Sequence, residues 1–404
     1  MPQWDIFCTV VDNYGDIGVC WRLARQLVDE HGVDVRLWVD RLESFAHLCP
    51  AITINADRQT VQQVEVRHWR ADFPAVEVAD VVIEAFACEL PETYAVAMAE
   101  RAVPPIWINL EYLSAEDWVE GCHLLASPHP QYSLTKHFFF PGFTDKTGGL
   151  LRERGLLANR AAFNSNDAEV FWSMLLQIPA RTEAEIRISL FCYDNAALPG
   201  LVQCWADGPD PIRVLATPGA ATQQVANWFG KSLVAGDVVR KDSLTVHVLP
   251  FLPHAGYDWL LWSCDVNFVR GEDSFVRAQW AQRPFVWQIY PQADDAHLVK
   301  LNAFLGKYLD NFEAAVAVKS LWHAWNEHSQ RVAGAGPAGS PGNRAPGLPV
   351  GSAPATLAPI GMAAAWQDFA TNRLLIEQHG KEWATRLDRL NDLSNNLVRF
   401  VCEN

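Results

Sequence analysis

Short apolar runs alternating with helical patterns, in two successive series, constrain this chain more than any other feature of its sequence. In the first series, residues 4–11, 33–39, 80–86 and 105–110 read as strands bounded by turn signals. Between them, residues 19–30 carry Leu23, Leu27 and Val28 at helical spacing, and residues 91–101 open on Pro91, which suits a first helical turn. In the second series strands are predicted at 186–193, 212–216, 244–249, 265–269 and 284–288, with helices that include 257–262 and 274–282. Strand and helix in this alternation make parallel βαβ units. Two series without sequence repetition predict an α/β fold of two Rossmann-like halves, with a cleft between their strand C-terminal edges.

The division that follows places a first domain at residues 1–165 and a second at 184–330, joined by a crossover that contains Phe138-Phe139-Phe140-Pro141-Gly142-Phe143. Two domains also suit 404 residues, at roughly 100–200 residues per domain. Residues 333–361 hold seven of the 24 glycines and six of the 24 prolines, with Arg344 the only charge, so they are expected to form a flexible insertion. Helical patterns resume at 363–378 and 381–401, and the segment 381–404 is expected to pack back on the first domain.

A formal charge of −15 disfavours a sequence-independent grip on nucleic acid phosphates or anionic lipid, which requires clustered Lys and Arg. Nine scattered cysteines contain no C-x-x-C pair and read as reduced thiols of a cytoplasmic protein. No apolar run reaches the ~18 residues of a membrane span, and the opening Met1-Pro2-Gln3-Trp4-Asp5 has no basic leader region.

The chemistry concentrates in two strand-to-helix turns. The first, Asp12-Asn13-Tyr14-Gly15-Asp16-Ile17-Gly18, stands where a dinucleotide fold places G-x-G-x-x-G, but its two aspartates would repel a pyrophosphate. It reads either as a capping acid plus a turn acid or as an anionic pocket for a cationic acceptor. The second is Arg270-Gly271-Glu272-Asp273-Ser274-Phe275. There the Arg270 guanidinium, the Ser274 hydroxyl and the first helical N–H groups suit a diphosphate, while Glu272 and Asp273 also read as ordinary first-turn acids.

Phe191, Tyr193 and Phe251 end strands and offer an aromatic platform for a base, or else belong to the core. Asp294-Asp295-Ala296-His297 looks like a short metal cluster but reads better as a helix-starting acid pair. No D-x-D, G-x-S-x-G, H-E-x-x-H or P-loop motif is present, which disfavours the common serine or zinc hydrolases and P-loop kinases.

At these residues the chain resembles the elongation factor P arginine rhamnosyltransferases, the EarP family. The stretches that carry the resemblance are the Asp12 to Gly18 turn, the run from Asp265 to Trp280, and Pro284-Phe285-Val286-Trp287-Gln288-Ile289-Tyr290-Pro291-Gln292. The resemblance implies a GT-B glycosyltransferase that uses no metal or other cofactor and transfers rhamnose from dTDP-β-L-rhamnose, with inversion, to an arginine of elongation factor P. It implies catalytic roles for Asp12, Asp16 and Glu272, with Asn13, Tyr14 and Gly15 beside them. It places Arg270, Gly271, Asp273 and Ser274 on the donor diphosphate, and Phe191, Tyr193, Phe251 and Tyr290 on the nucleotide or its sugar. His254 stands where the family often has a glutamine as thymine partner. Asp16 is the expected base, being nearer the helix start, with Asp12 and Glu272 as alternatives. Competing readings are a nucleotide-sugar hydrolase or epimerase and a non-catalytic nucleotide-sugar-binding module.

Overall fold

The computed structural model describes residues 2–292, 296–327 and 361–404. The expected insertion at 333–361 lies outside them except for Gly361, as do Asp294 and Asp295. Residues 3–139 build an eight-stranded sheet from β1 (Gln3–Cys8), β2 (Asp34–Val39), β3 (Arg58–Val61), β4 (Val64–His68), β5 (Val81–Ala85), β6 (Ile106–Leu110), β7 (Ala126–Pro128) and β8 (Thr135–Phe139). Its order is β3-β4-β2-β1-β5-β6-β8-β7, parallel except for the outer hairpins β3/β4 and β7/β8. The second sheet joins β9 (Ile186–Leu190), β10 (Ile212–Ala216), β11 (Val238–Lys241), β12 (Leu244–Val248), β13 (Val266–Arg270) and β14 (Phe285–Gln288) in the order β11-β12-β10-β9-β13-β14. Only β11 runs antiparallel there.

Central parallel strands are covered on both faces, so their sequences must be apolar on both. In β1, Trp4, Ile6 and Cys8 join the core under the Gly15–His31 helix with Ile17, Trp21 and Leu23. Phe7 points the other way, stacking on Trp38 at 5.8 Å among Val82, Tyr94 and Trp107. Asp5 on that face is fully buried and is tolerated because Arg36 clamps both its oxygens at 2.6 Å.

Strand order reverses beside β1 in the first sheet and beside β9 in the second, where β9 lies between β10 and β13. Crevices form outside the strand ends at such reversals. The two crevices face each other, bridged by contacts between the turn after β1 and the turn after β13.

Two local expectations are corrected. Phe138 and Phe139 belong to β8 rather than to a crossover, because β8 pairs with β6 from Trp107↔Lys136 to Leu110↔Phe139. The helix expected over 381–401 is two helices, Arg373–Asp388 and Leu393–Glu403. Asp392 breaks it by accepting from the backbone N–H groups of Ser394 and Asn395, which starts a new helix. That last helix buries Leu393, Leu397 and Phe400 in the first-sheet core. The chain therefore crosses between the domains a second time, alongside the first crossing. Leu393 N donates to Leu150 O at 2.9 Å, Asn396 Nδ2 to Gly148 O at 3.1 Å, and Arg152 pairs with Asp388 at 2.7 Å. Among the described residues no helix is long and apolar enough to cross a membrane.

Candidate active site

The turn after β1 carries Asp12 and Asp16 into the cleft. Asp16 lies in the first turn of the Gly15–His31 helix, close to the cap as expected; the cap residue itself is Tyr14, which makes no side-chain cap bond. The buried Asp16 carboxylate instead reaches back, and Oδ2 accepts from Val11 N and Asp12 N, both at 2.8 Å. Oδ1 accepts from the Tyr112 hydroxyl at 3.1 Å. Burial raises the Asp16 pKa, and the two backbone N–H groups hold it down only in part. Among the described residues Asp16 forms no ion pair.

Asp12 is partly buried and is held from the other domain. Its Oδ1 accepts from Arg270 Nη1 at 2.7 Å and its Oδ2 from the Tyr193 hydroxyl at 2.5 Å. Two glycines make room for this carboxylate. A Cβ on Gly15 would stand 2.6 Å from Asp12 Oδ2, and one on Gly271 would stand 2.7 Å from it. Gly271 also has φ +60°, which L side chains rarely adopt.

Arg270 ends β13. Its guanidinium lies 4.5 Å from the Phe191 ring, 4.3 Å from Tyr193 and 6.0 Å from Tyr14, an aromatic slot suited to a planar cation. Burial works against its charge, but Tyr193 and Asp12 outweigh that and raise its pKa. Ser274 accepts from Arg270 N at 3.0 Å and donates to Arg270 O, so its hydroxyl closes the turn. Asp273 Oδ1 accepts from Arg22 Nε at 2.7 Å.

Glu272 reaches across to the first domain, where Oε2 accepts from Leu113 N at 2.9 Å. Burial, with a smaller push from the Asp16 charge, drives its pKa up to about 8. At neutral pH it presents a carboxylic acid beside the carboxylates.

A small cavity of about 60 Å³ opens between the turns. Asp12, Tyr14, Gly15, Arg270, Asp273 and Ser274 line its polar end; Phe191, Phe251, Leu252 and Tyr257 line its apolar end. Phe251 meets Tyr14 edge-on at 5.2 Å. His254 is also buried in this wall, and neither ring nitrogen has a hydrogen-bond partner among the described residues. Burial, reinforced by Arg22 and Arg25, holds its pKa well below the usual histidine value, so the ring is neutral. Tyr290 is half-buried beside the cavity and packs edge-on to Tyr193 at 5.4 Å. Asn13 is exposed at φ +35° and does not line the cavity. His297 lies apart and accepts at Nδ1 from Gln292 N at 3.3 Å.

Two site residues were not singled out in the sequence. Tyr112 lies just past β6, at a strand C-terminal edge where ligand-facing residues gather, and that position was the available signal. Arg22 lies in the first helix among buried apolar residues, and no local pattern distinguishes it from a solvated arginine.

The model of the family described as Elongation-Factor P (EF-P) rhamnosyltransferase EarP matches residues 4–402. The protein-arginine rhamnosyltransferase of Pseudomonas aeruginosa is 50% identical over 406 residues, covering 100% of each chain. That of Pseudomonas putida is 46% identical over 401 residues, covering 98% of each. A solved structure described as the structural basis for EarP-mediated arginine glycosylation of translation elongation factor EF-P superposes with a TM-score of 0.66 at 32% identity, covering 100% of both chains. The two facing sheets are accordingly those of a GT-B glycosyltransferase, the architecture expected from the sequence.

Proposed function

The chain belongs to the EarP family of elongation factor P rhamnosyltransferases, and on that premise we propose that it transfers rhamnose from dTDP-β-L-rhamnose to an arginine of elongation factor P, in the cytoplasm, with inversion and without a metal ion. One observation carries the acceptor half of this reading: the Asp12 carboxylate already holds a guanidinium, that of Arg270, at 2.7 Å. The turn thus binds the chemical group that the acceptor would bring.

A guanidinium with pKa above ~12 is a poor nucleophile because its lone pairs are delocalised and it carries a full charge. Asp12 and Asp16, four residues apart on one turn, take opposite edges of its planar fork and localise the lone pair on one nitrogen. Asp16 is the base, since it alone of the two has no resident cation, and burial raises its proton affinity. Attack from the first domain on a sugar held by the second inverts the anomeric centre. Arg270, with the backbone N–H groups at the start of the Asp273–Ala281 helix, stabilises charge on the departing dTDP in place of a metal ion. Phe191 and Phe251 flank the base, neutral His254 offers its edge one donor and one acceptor, and Glu272 in its acid form donates to a sugar hydroxyl.

Incubation with elongation factor P and dTDP-β-L-rhamnose tests the reading. Intact mass should show one deoxyhexosyl group added, fragmentation should place it on an arginine, and chelator should not reduce it. Release of dTDP with the factor unmodified would instead support a nucleotide-sugar hydrolase. NMR of the linkage tests inversion.

A further inference from the structure

We propose that a second cavity, between the Gly15–His31 helix of the first domain and the His254–Ser263 helix of the second, binds a small amphipathic anion. Arg22, Arg25 and Arg154 take its oxyanion head, and Phe171, Leu175 and Trp259 take an apolar, aromatic body.

The cavity measures about 650 Å³, within the usual range for small-molecule sites and far larger than the one between the two turns. His254 is the one lining residue that the two cavities share, so they adjoin only at that side chain. Asp12, Arg270 and Ser274 line the first and not the second, which is therefore no extension of the diphosphate end.

The charges around the second cavity do not close on themselves. Of its three carboxylates, Glu153 and Asp258 are held by Arg22 and Arg277, and Asp167 accepts from Asn164 N at 3.0 Å at the start of its own helix. Arg22 Nη2 is buried without a hydrogen-bond partner among the described residues, although its Nε and Nη1 are paired. Arg25 Nε is likewise buried and unpartnered, and its guanidinium donates only to the neutral Gln62 Oε1, at 3.2 Å. Burial and the Arg22 charge together lower the Arg25 pKa, the direction expected of a cation without an acid beside it. The Arg154 guanidinium reaches only a carbonyl, that of Glu30, at 3.5 Å. Acids outnumber bases in this chain by 47 to 32, so two arginines without an acid in one cavity do not reflect a shortage of carboxylates.

The rest of the wall is apolar. Phe171 meets Trp259 edge-on at 5.9 Å, and Phe163 meets Trp262 edge-on at 5.4 Å. Leu175 and Trp259 are left 58% and 38% exposed at the mouth. Phe171 and Leu175 bound a π-helical turn, a form that is rare and gathers at functional sites. Water would satisfy the guanidinium groups but not this surface, and a neutral apolar ligand would do the reverse. A carboxylate, phosphate or sulfonate on an aromatic body satisfies both, since the guanidinium fork accepts oxyanions in paired bonds.

Fluorescence titration of the full chain with 8-anilinonaphthalene-1-sulfonate, under saturating dTDP to fill the first cavity, tests this. One equivalent of dye should bind. N-phenyl-1-naphthylamine, which keeps the rings and lacks the sulfonate, should bind at least roughly tenfold more weakly, on the scale of a hydrogen bond to a charged group. Arg25→Gln should weaken the sulfonate by a similar factor and leave the neutral dye unchanged. Leu175→Asp, which sets a carboxylate at the exposed mouth, should weaken the sulfonate more than the neutral dye. Partial unfolding raises the fluorescence of such dyes, so a loss in these variants cannot come from misfolding. Absence of saturable binding under dTDP, equal affinity for the two dyes, or an unchanged affinity for the sulfonate in Arg25→Gln would overturn the proposal.

Discussion

Arg22 Nε lies 2.7 Å from Asp273 Oδ1, which joins the first helix of one domain to the helix that follows β13 in the other. The same arginine donates to Glu153 at 3.2 Å, and Glu153 and Asp258 also pair with Arg277, at 2.5 and 2.7 Å. Arg277 and Arg22 outweigh the burial of Glu153 and hold its carboxyl well below the usual range. The result is a buried charge network in which each domain supplies an arginine.

Removing one member of such a network leaves charge buried and uncompensated, which typically costs about 3–5 kcal/mol. Arg22→Met should lose stability on that scale in urea unfolding, with no charge left to meet Asp273. An unfolding midpoint equal to wild type would show that the network relaxes into water.

Asp16→Asn retains an oxygen for Val11 N and Asp12 N but loses the charge and the proton acceptor. Its transfer rate should fall by ~10²–10⁴, the usual contribution of a general base, while dTDP binds as in wild type. Near-normal transfer would move the base to Asp12 or Glu272.

Glu272 has a folded-state pKa of about 8 against about 4.3 for a free glutamate side chain. Between those values the folded protein holds a proton that the unfolded chain lacks, so stability falls as pH rises. Glu272→Gln removes this dependence and keeps an acceptor for Leu113 N. The variant should therefore gain on wild type steadily from pH 5 to pH 8 in urea midpoints. A constant difference across that range would mean that Glu272 is ionised when folded.

His254 is neutral, with neither nitrogen partnered among the described residues. His254→Gln, which supplies an amide donor and acceptor, should bind dTDP at least as tightly as wild type. His254→Ala should weaken it by about 0.5–1.5 kcal/mol, the net value of a hydrogen bond. Calorimetry decides between these outcomes, and an unchanged affinity in the alanine variant would place the base elsewhere.

The strands nearest the cleft were legible because burial on both faces makes β1, β5, β9 and β13 predominantly apolar, although each also buries a polar residue, Asp5, Glu84, Ser189 and Asn267 among them. The β3/β4 hairpin was not. Its strand Arg58–Val61 is mostly polar, and its turn uses Gln62 and Gln63 at φ +48° and +63° where glycine or asparagine would have signalled it. Asp12, Asp16, Arg270 and Glu272 could be named because they sit in strand-to-helix turns. Their partners could not: Arg270 meets Asp12 across 258 positions, and whether Asp16 caps its own helix or reaches back to Val11 depends on side-chain torsion rather than on local pattern.

The second crossing of the chain governs how the two domains can move. A single tether would let one domain swivel on the other, whereas two segments laid side by side and hydrogen-bonded through Leu150, Gly148 and Arg152 behave as a ribbon that resists torsion and flexes across its width. Any parting of the domains has to break the bonds from Arg270 and Tyr193 to Asp12, so this one carboxylate also latches the jaws across the cleft.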